Sequence, residues 1–335
     1  MIHRPGDLTN TRSVAEFARI QGQFKPRTEF LRTQPRNHES CEPEPGRVDA
    51  ASFRTPLMNR SAREPEMSTI APRTSRWTRL RRGIGCWLTF LITPLGMFCF
   101  GGWIRRLEPE RLDKGLVLML TGIEGRSFLN VGLMRGLLDA GVTSALEIVD
   151  WTTGYKLLFL LHLRGWQRNR RVAQQLAARI VAYQDQYPGR PVWIVGHSGG
   201  GGMALLTAAA LPEGRQVTGI VMLATAVSPA FDLQPALAHV ETAIWNHYSW
   251  FDCFFLELGT TLLGAFDGRH GFAAGAIGFR GTCVDEATAT GRLIQIRWNW
   301  RMLGQFHLGE HFGCVHRVFV AEEIAPLIRA TECGA

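Results

Sequence analysis

The chain has 335 residues, of which 46% are apolar, with ten Trp and nineteen Phe; that is ample for one sizeable packed domain with extra segments. Its formal charge of +8 is uneven: residues 1–82 hold 16 Lys+Arg against 9 Asp+Glu, and residues 83–335 hold 21 against 20. A nearly neutral body argues against an extended basic face for nucleic acid, so no nucleic-acid partner is expected. Seven scattered cysteines without a C-x-x-C pair argue against a disulfide framework and a zinc site.

Residues 1–75 are rich in Arg, Pro, Glu, Ser and Thr and lack a sustained apolar period. The arm over residues 1–82 is therefore expected to be disordered. Met67 offers a second candidate start, which would set residues 1–66 aside as a mis-assigned beginning. Residues 83–103, GIGCWLTFLITPLGMFCFGGW, carry no charge and are flanked by arginines on both sides. A hydrophobic helix over 83–104 is expected. It is just long enough to anchor the chain in a membrane, an inner bacterial membrane on this reading; a helix packed on the domain and a cleaved signal are the competing readings.

From residue 112 to 331 short apolar runs alternate with helical patterns. Strands are expected at GLVLMLTG (115–122), ALEIVDW (145–151), PVWIVGH (191–197), VTGIVMLATAV (217–227), AIWNHYSWF (243–251) and RLIQIRWN (292–299). Helices are expected between them, with a last one at 319–330. This β-α-β order implies an α/β fold with a doubly wound, mostly parallel sheet.

One motif carries chemistry. Gly196-His197-Ser198-Gly199-Gly200 is a G-x-S-x-G element between a buried strand and a helix. Such a turn strains the serine backbone, needs small neighbours, and presents the hydroxyl above the sheet at a helix N-terminus. A phosphate loop would need G-K-[ST], which is missing. Ser198 is thus the candidate nucleophile, with no cofactor or metal required.

On these residues the stretch 115–330 resembles the α/β-hydrolase family. The G-H-S-G-G-G elbow is similar to those of lipases and esterases, and the N-terminal apolar segment is similar to that of some bacterial hydrolases. The resemblance implies a triad in the order Ser, acid, His and an oxyanion hole. The family's two leading strands are not evident, so the sheet is expected to begin at GLVLML. Asp252, directly after the strand at 243–251, is the first choice for the acid; Asp232 and Asp267 follow. Asp150 reads as a turn or pocket residue. The base is expected between residues 300 and 318, with His311 first, then His316 and His307. The backbone N–H groups of Gly199 and Ile123 are the expected oxyanion donors, with Glu124 as alternative to Ile123.

The expected activity is cleavage of a carboxylic ester, with a small-molecule or lipid-like substrate. The apolar segments 155–166 and 245–266 offer a cap or an acyl-binding wall. An acyltransferase or amidase would use the same triad, and a non-catalytic binding module of the same fold is the reading from another class.

Overall fold

The computed structural model describes residues 74–89, 92 and 101–332. Seven strands form one sheet: β1 (Arg105–Arg106), β2 (Leu116–Leu120), β3 (Ala145–Val149), β4 (Val192–His197), β5 (Gly219–Leu223), β6 (Ile244–Tyr248) and β7 (Leu293–Arg297). Their spatial order is β1-β3-β2-β4-β5-β6-β7. All neighbours are parallel except β1, which runs antiparallel to β3 at the edge. Strands β2, β3, β4 and β5 are buried at every residue. That is why they read as unbroken Val/Ile/Leu runs rather than as alternating patterns.

The crossovers are α2 (Phe128–Asp139), α3 (Phe159–Arg164) with α4 (Trp166–Gln186), and α5 (Gly199–Ala209). The chain reverses from β2 to β3 on one side and to β4 on the other. A crevice opens where strand order reverses, at the carboxyl ends of the strands, and sites of open α/β sheets lie there. Ser198 follows β4 directly.

Two expectations at the front are corrected. The sheet does not begin at GLVLML, because Arg105 and Arg106 already pair with Glu147 and Leu146 of β3; two consecutive arginines give no strand signal. The arm assigned to residues 1–82 ends earlier, because α1 (Arg76–Leu88) is a helix that straddles the assigned boundary. Its start is fixed by the Ser75 hydroxyl, which accepts from Thr78 N–H at 3.2 Å, and by the Arg79–Glu322 ion pair at 2.5 Å. Residues 1–73 of that arm lie outside the described residues, as do residues 90, 91 and 93–100 of the expected hydrophobic helix. Among the described residues no helix is long and apolar enough to cross a membrane.

Candidate active site

Ser198 sits between β4 and α5 with φ 53° and ψ −121°, a conformation L-residues avoid. Tertiary hydrogen bonds hold it there. Ser198 N–H donates to the Leu223 carbonyl at 3.0 Å, and Ser198 C=O accepts from Gly201 and Ala226 N–H at 3.0 and 3.1 Å. The glycines around it are steric necessities. A side chain at Gly196 would run into the Gly200 backbone, one at Gly200 into the Leu120 and Thr121 carbonyls, and one at Gly199 would come within 2.7 Å of Ile123 Cγ2. The glycine run is the first turn of α5, with Gly200 pressed onto the end of β2.

Asp252 and His311 meet behind the elbow. His311 Nδ1–H donates to Asp252 Oδ2 at 2.5 Å, with both side chains almost fully buried. The second carboxylate oxygen, Oδ1, accepts from Leu256 N–H at 3.3 Å, in the first turn of the π-helical segment Cys253–Gly259. Phe255 stacks on the imidazole at 4.7 Å between centroids and 26° between planes. His197 ties the histidine loop to the elbow: its Nε2–H donates to the His311 carbonyl at 3.0 Å, and the two rings lie 4.8 Å apart. Burial pushes the His197 ring down to about 3, so it stays neutral and keeps this role across the working pH range. With Nδ1 donating to Asp252, Nε2 is the ring nitrogen of His311 left to accept a hydrogen bond. The Ser198 hydroxyl is not hydrogen-bonded to His311, whose Nδ1 is taken by Asp252.

Ile123 lies against Gly199, in the loop Gly122–Gly125 that follows β2. As the first residue of α5, Gly199 presents an N–H with no intrahelical acceptor. Glu124 folds its carboxylate back against Gly122. Asp150 accepts from Arg126 N–H and Thr152 N–H, so it braces this loop.

The other candidates stand elsewhere. Asp232 is exposed and caps a turn at Gln234 N–H. Asp267 accepts from the Ser228 N–H and hydroxyl. His307 accepts from Gly309 N–H and is held at about 3 by burial. His316 accepts from Val318 N–H, donates to the Gly83 carbonyl at 3.1 Å, and is lowered by burial to about 4. It therefore caps the C-terminal helical segment and docks α1. Among the described residues no group of three or more His, Cys, Asp or Glu side chains is arranged to hold a metal.

The residues 162–251, from α3 through the elbow to the end of β6, match the model of the serine aminopeptidase S33 family of hydrolases. The chain is an α/β-hydrolase by fold. Solved structures similar to this α/β-hydrolase include an esterase named PE8, at 14% identity over 65% of this chain and 93% of that one, with a TM-score of 0.39. The HSL homologue EstE7 from a metagenome library is similar at 13% identity over 77% of this chain and 94% of that one, with a TM-score of 0.39. A puromycin-hydrolyzing peptidase of Mycobacterium tuberculosis is similar at 13% identity over 65% and 34%, with a TM-score of 0.36. No functionally curated protein matches the chain.

Two residues of this α/β-hydrolase escape sequence reasoning. His162 is the one polar residue in the apolar run LLFLLHL (157–163). In the fold it is buried, its Nδ1–H donates to the Ile123 carbonyl at 2.9 Å, and its Nε2 accepts from Thr153 N–H at 3.1 Å. It thereby fastens the apolar insert to the loop that carries Ile123. Glu310, next to the base, has one buried carboxylate oxygen without a partner, and burial pushes its carboxyl up to about 7. A carboxyl whose value is higher in the folded than in the unfolded chain stabilises the fold fully below the unfolded value of about 4.3, and that contribution is lost as pH rises toward 7. Glu310→Gln is therefore expected to match wild type in melting temperature near pH 4.5 and to exceed it by about 5 °C at pH 8. Thermal scans across that range check this; parallel curves would remove the buried carboxyl from the account.

Proposed function

We propose that this α/β-hydrolase is a serine esterase acting on substrates with an apolar acyl group. The observation that carries the proposal is the strained Ser198 elbow set beside a buried Asp252–His311 hydrogen bond. A backbone conformation costing about 1–3 kcal/mol persists only where the surrounding structure over-determines it, and the elbow is held by three hydrogen bonds.

The chemistry follows from the groups in place. His311 Nε2 takes the Ser198 proton as the oxygen attacks the ester carbonyl, and Asp252 stabilises the imidazolium that forms. Charge on the tetrahedral oxygen is met by the N–H groups of Gly199 and Ile123. His311 then protonates the leaving alcohol, and water attacks the acyl-enzyme by the reverse route.

The apolar preference rests on the walls. Exposed Leu160 and Leu161 of α3 face Leu262 and Leu263 across an open groove of about 420 Å³ that Arg164 and Gly165 also line. The groove begins one residue from His162, hence beside the Ile123 loop. A channel lined by leucines favours an acyl chain by about 0.8 kcal/mol per buried methylene. A fluorophosphonate probe is expected to label one serine, mapped by peptide mass to Ser198. Turnover of p-nitrophenyl octanoate is expected to exceed that of the acetate at least tenfold in kcat/KM. Absent labelling would remove the esterase reading, and preference for acetate would remove the acyl groove.

A further inference from the structure

Helix α1 is amphipathic the wrong way round for a helix in water. Its sequence, RWTRLRRGIGCWL, holds four arginines and no acid. The side turned to the protein is held by ion pairs and one ring: Arg79 pairs with Glu322, Arg82 with Asp139 at 3.2 Å, and Trp87 lies 5.6 Å from the His316 ring. Gly83 lies under the Phe306 ring, and its carbonyl accepts from His316. The side turned away, which includes Arg76 and Arg81, carries an apolar stripe. Trp77, Leu80, Ile84 and Leu88 are 67%, 41%, 50% and 60% exposed; their spacings of three and four place them in one stripe along the helix. Trp103 is 48% exposed as well.

Beside this stripe the helix and the domain enclose a cavity of about 150 Å³, lined by Arg81, Arg82, Arg135, Arg317, Cys86 and Phe128 among others. Its charges do not balance. Asp139 accepts both forks of Arg317, at 2.5 and 2.7 Å, and is also the partner of Arg82. Arg135 rests on the Trp103 ring at 4.8 Å. Neither Arg135 nor Arg81 has an acidic partner among the described residues. Four guanidinium groups therefore face one carboxylate. The planar guanidinium fork matches phosphate oxygens in bidentate fashion, which makes such a cavity a phosphate site rather than a site for a neutral ligand.

We propose that this face docks on an anionic bilayer, with α1 lying in the interface and the phosphate of an anionic phospholipid held in the arginine cavity. One partner meets both halves of the surface: a bilayer offers an apolar layer to the stripe and phosphates to the arginines at the same depth. The sequence that follows the helix, residues 89–103, carries no charge, which suits the same environment and leaves an acidic protein partner nothing to pair with there. The thirteen-residue helix is too short to span the bilayer, so the contact is superficial. Nothing in it depends on Ser198 being a nucleophile.

The test is co-sedimentation of the full chain with vesicles of phosphatidylcholine alone and of phosphatidylcholine mixed with phosphatidylglycerol. Binding to the mixed vesicles is expected to be at least tenfold tighter. Arg81→Gln with Arg135→Gln is expected to weaken it about ten- to thirtyfold, near a factor of five per lost charge. Ile84→Ser with Leu88→Ser tests the stripe separately and is expected to weaken binding at least tenfold. Arg190→Gln with Arg215→Gln, at the opposite end of the strands, is expected to leave it unchanged. Arg81, Arg135, Ile84 and Leu88 are exposed, and the half-buried Arg190 and Arg215 lose only single surface ion pairs with Asp113 and Asp185, so the melting temperatures without vesicles are expected to stay within a few degrees of wild type. Equal binding to both vesicle types overturns the proposal, as does wild-type binding by both double variants. So does a melting temperature raised by inorganic phosphate in a chain that ignores vesicles, because the ligand is then a soluble phosphate.

Discussion

Ser198→Ala is expected to lower ester turnover about a millionfold, the scale on which removing the nucleophile of a triad acts, without unfolding the domain. The substituted methyl keeps the same backbone strain as serine at φ 53°, and the hydrogen bonds of Ser198 N–H to Leu223 and of Ser198 C=O to Gly201 and Ala226 involve no side-chain atom. Ser198→Gly removes the same oxygen but relieves the strain, worth about 1–3 kcal/mol, offset in part by the looser unfolded chain that glycine brings. The glycine variant is therefore expected to be as inactive as the alanine variant and to melt above it. Adding His311→Ala to Ser198→Ala is expected to cost almost nothing more, since a base without a nucleophile has no proton to take. Single-turnover ester assays and thermal scans on the three variants decide this. An alanine variant that retains a hundredth of wild-type turnover would place the reacting oxygen elsewhere.

The difference between what could and could not be read in advance follows the distance over which each feature is determined. Ser198 was legible because its cause is local: a buried strand, a turn too tight for side chains, and a helix lie within about twenty residues. Strands β2 to β5 were legible because burial on both faces leaves nearly continuous apolar runs. Asp252 and His311 had to be chosen among neighbours by chain order, since their pairing spans 59 residues. Nothing in the sequence of Asp232 or His316 betrays that one caps an exposed turn and the other docks α1. His162 was invisible for the same reason. Its bond to Ile123 spans 39 residues, and a single histidine in a leucine-rich run reads as a packing accident. The charge-rich start of α1 read as an extension of the arm because its stabilisers, Glu322 and Asp139, are supplied from far along the chain. Likewise β1 is two arginines whose strand character comes entirely from the edge of β3.

Asp252→Asn is expected to reduce turnover about ten-thousandfold with little change in KM, for a reason the hydrogen bonds make specific. The carboxylate meets two donors at once: Oδ1 receives Leu256 N–H, and Oδ2 receives His311 Nδ1–H. Asparagine has only one acceptor atom to divide between them. If its oxygen stays with the helix N–H, its amide group faces Nδ1 and forces that nitrogen to accept, which moves the ring proton to Nε2. The nitrogen that must take the Ser198 proton is then already protonated. If the oxygen turns to His311 instead, the backbone N–H of Leu256 is left unpaired in a buried place, at a cost of about 1–3 kcal/mol, and the imidazolium still loses its counter-charge. Either arrangement damages turnover, while the apolar groove between Leu160 and Leu263 is untouched, so binding is spared. Asp232→Asn is expected to change turnover less than twofold, because an asparagine oxygen can cap Gln234 N–H as the aspartate does and the side chain is exposed. Steady-state kinetics on the two variants separate the possibilities. Loss of activity in Asp232→Asn with a tenth or more retained in Asp252→Asn would transfer the acid to the turn after β5 and leave the Asp252–His311 hydrogen bond with a purely structural role.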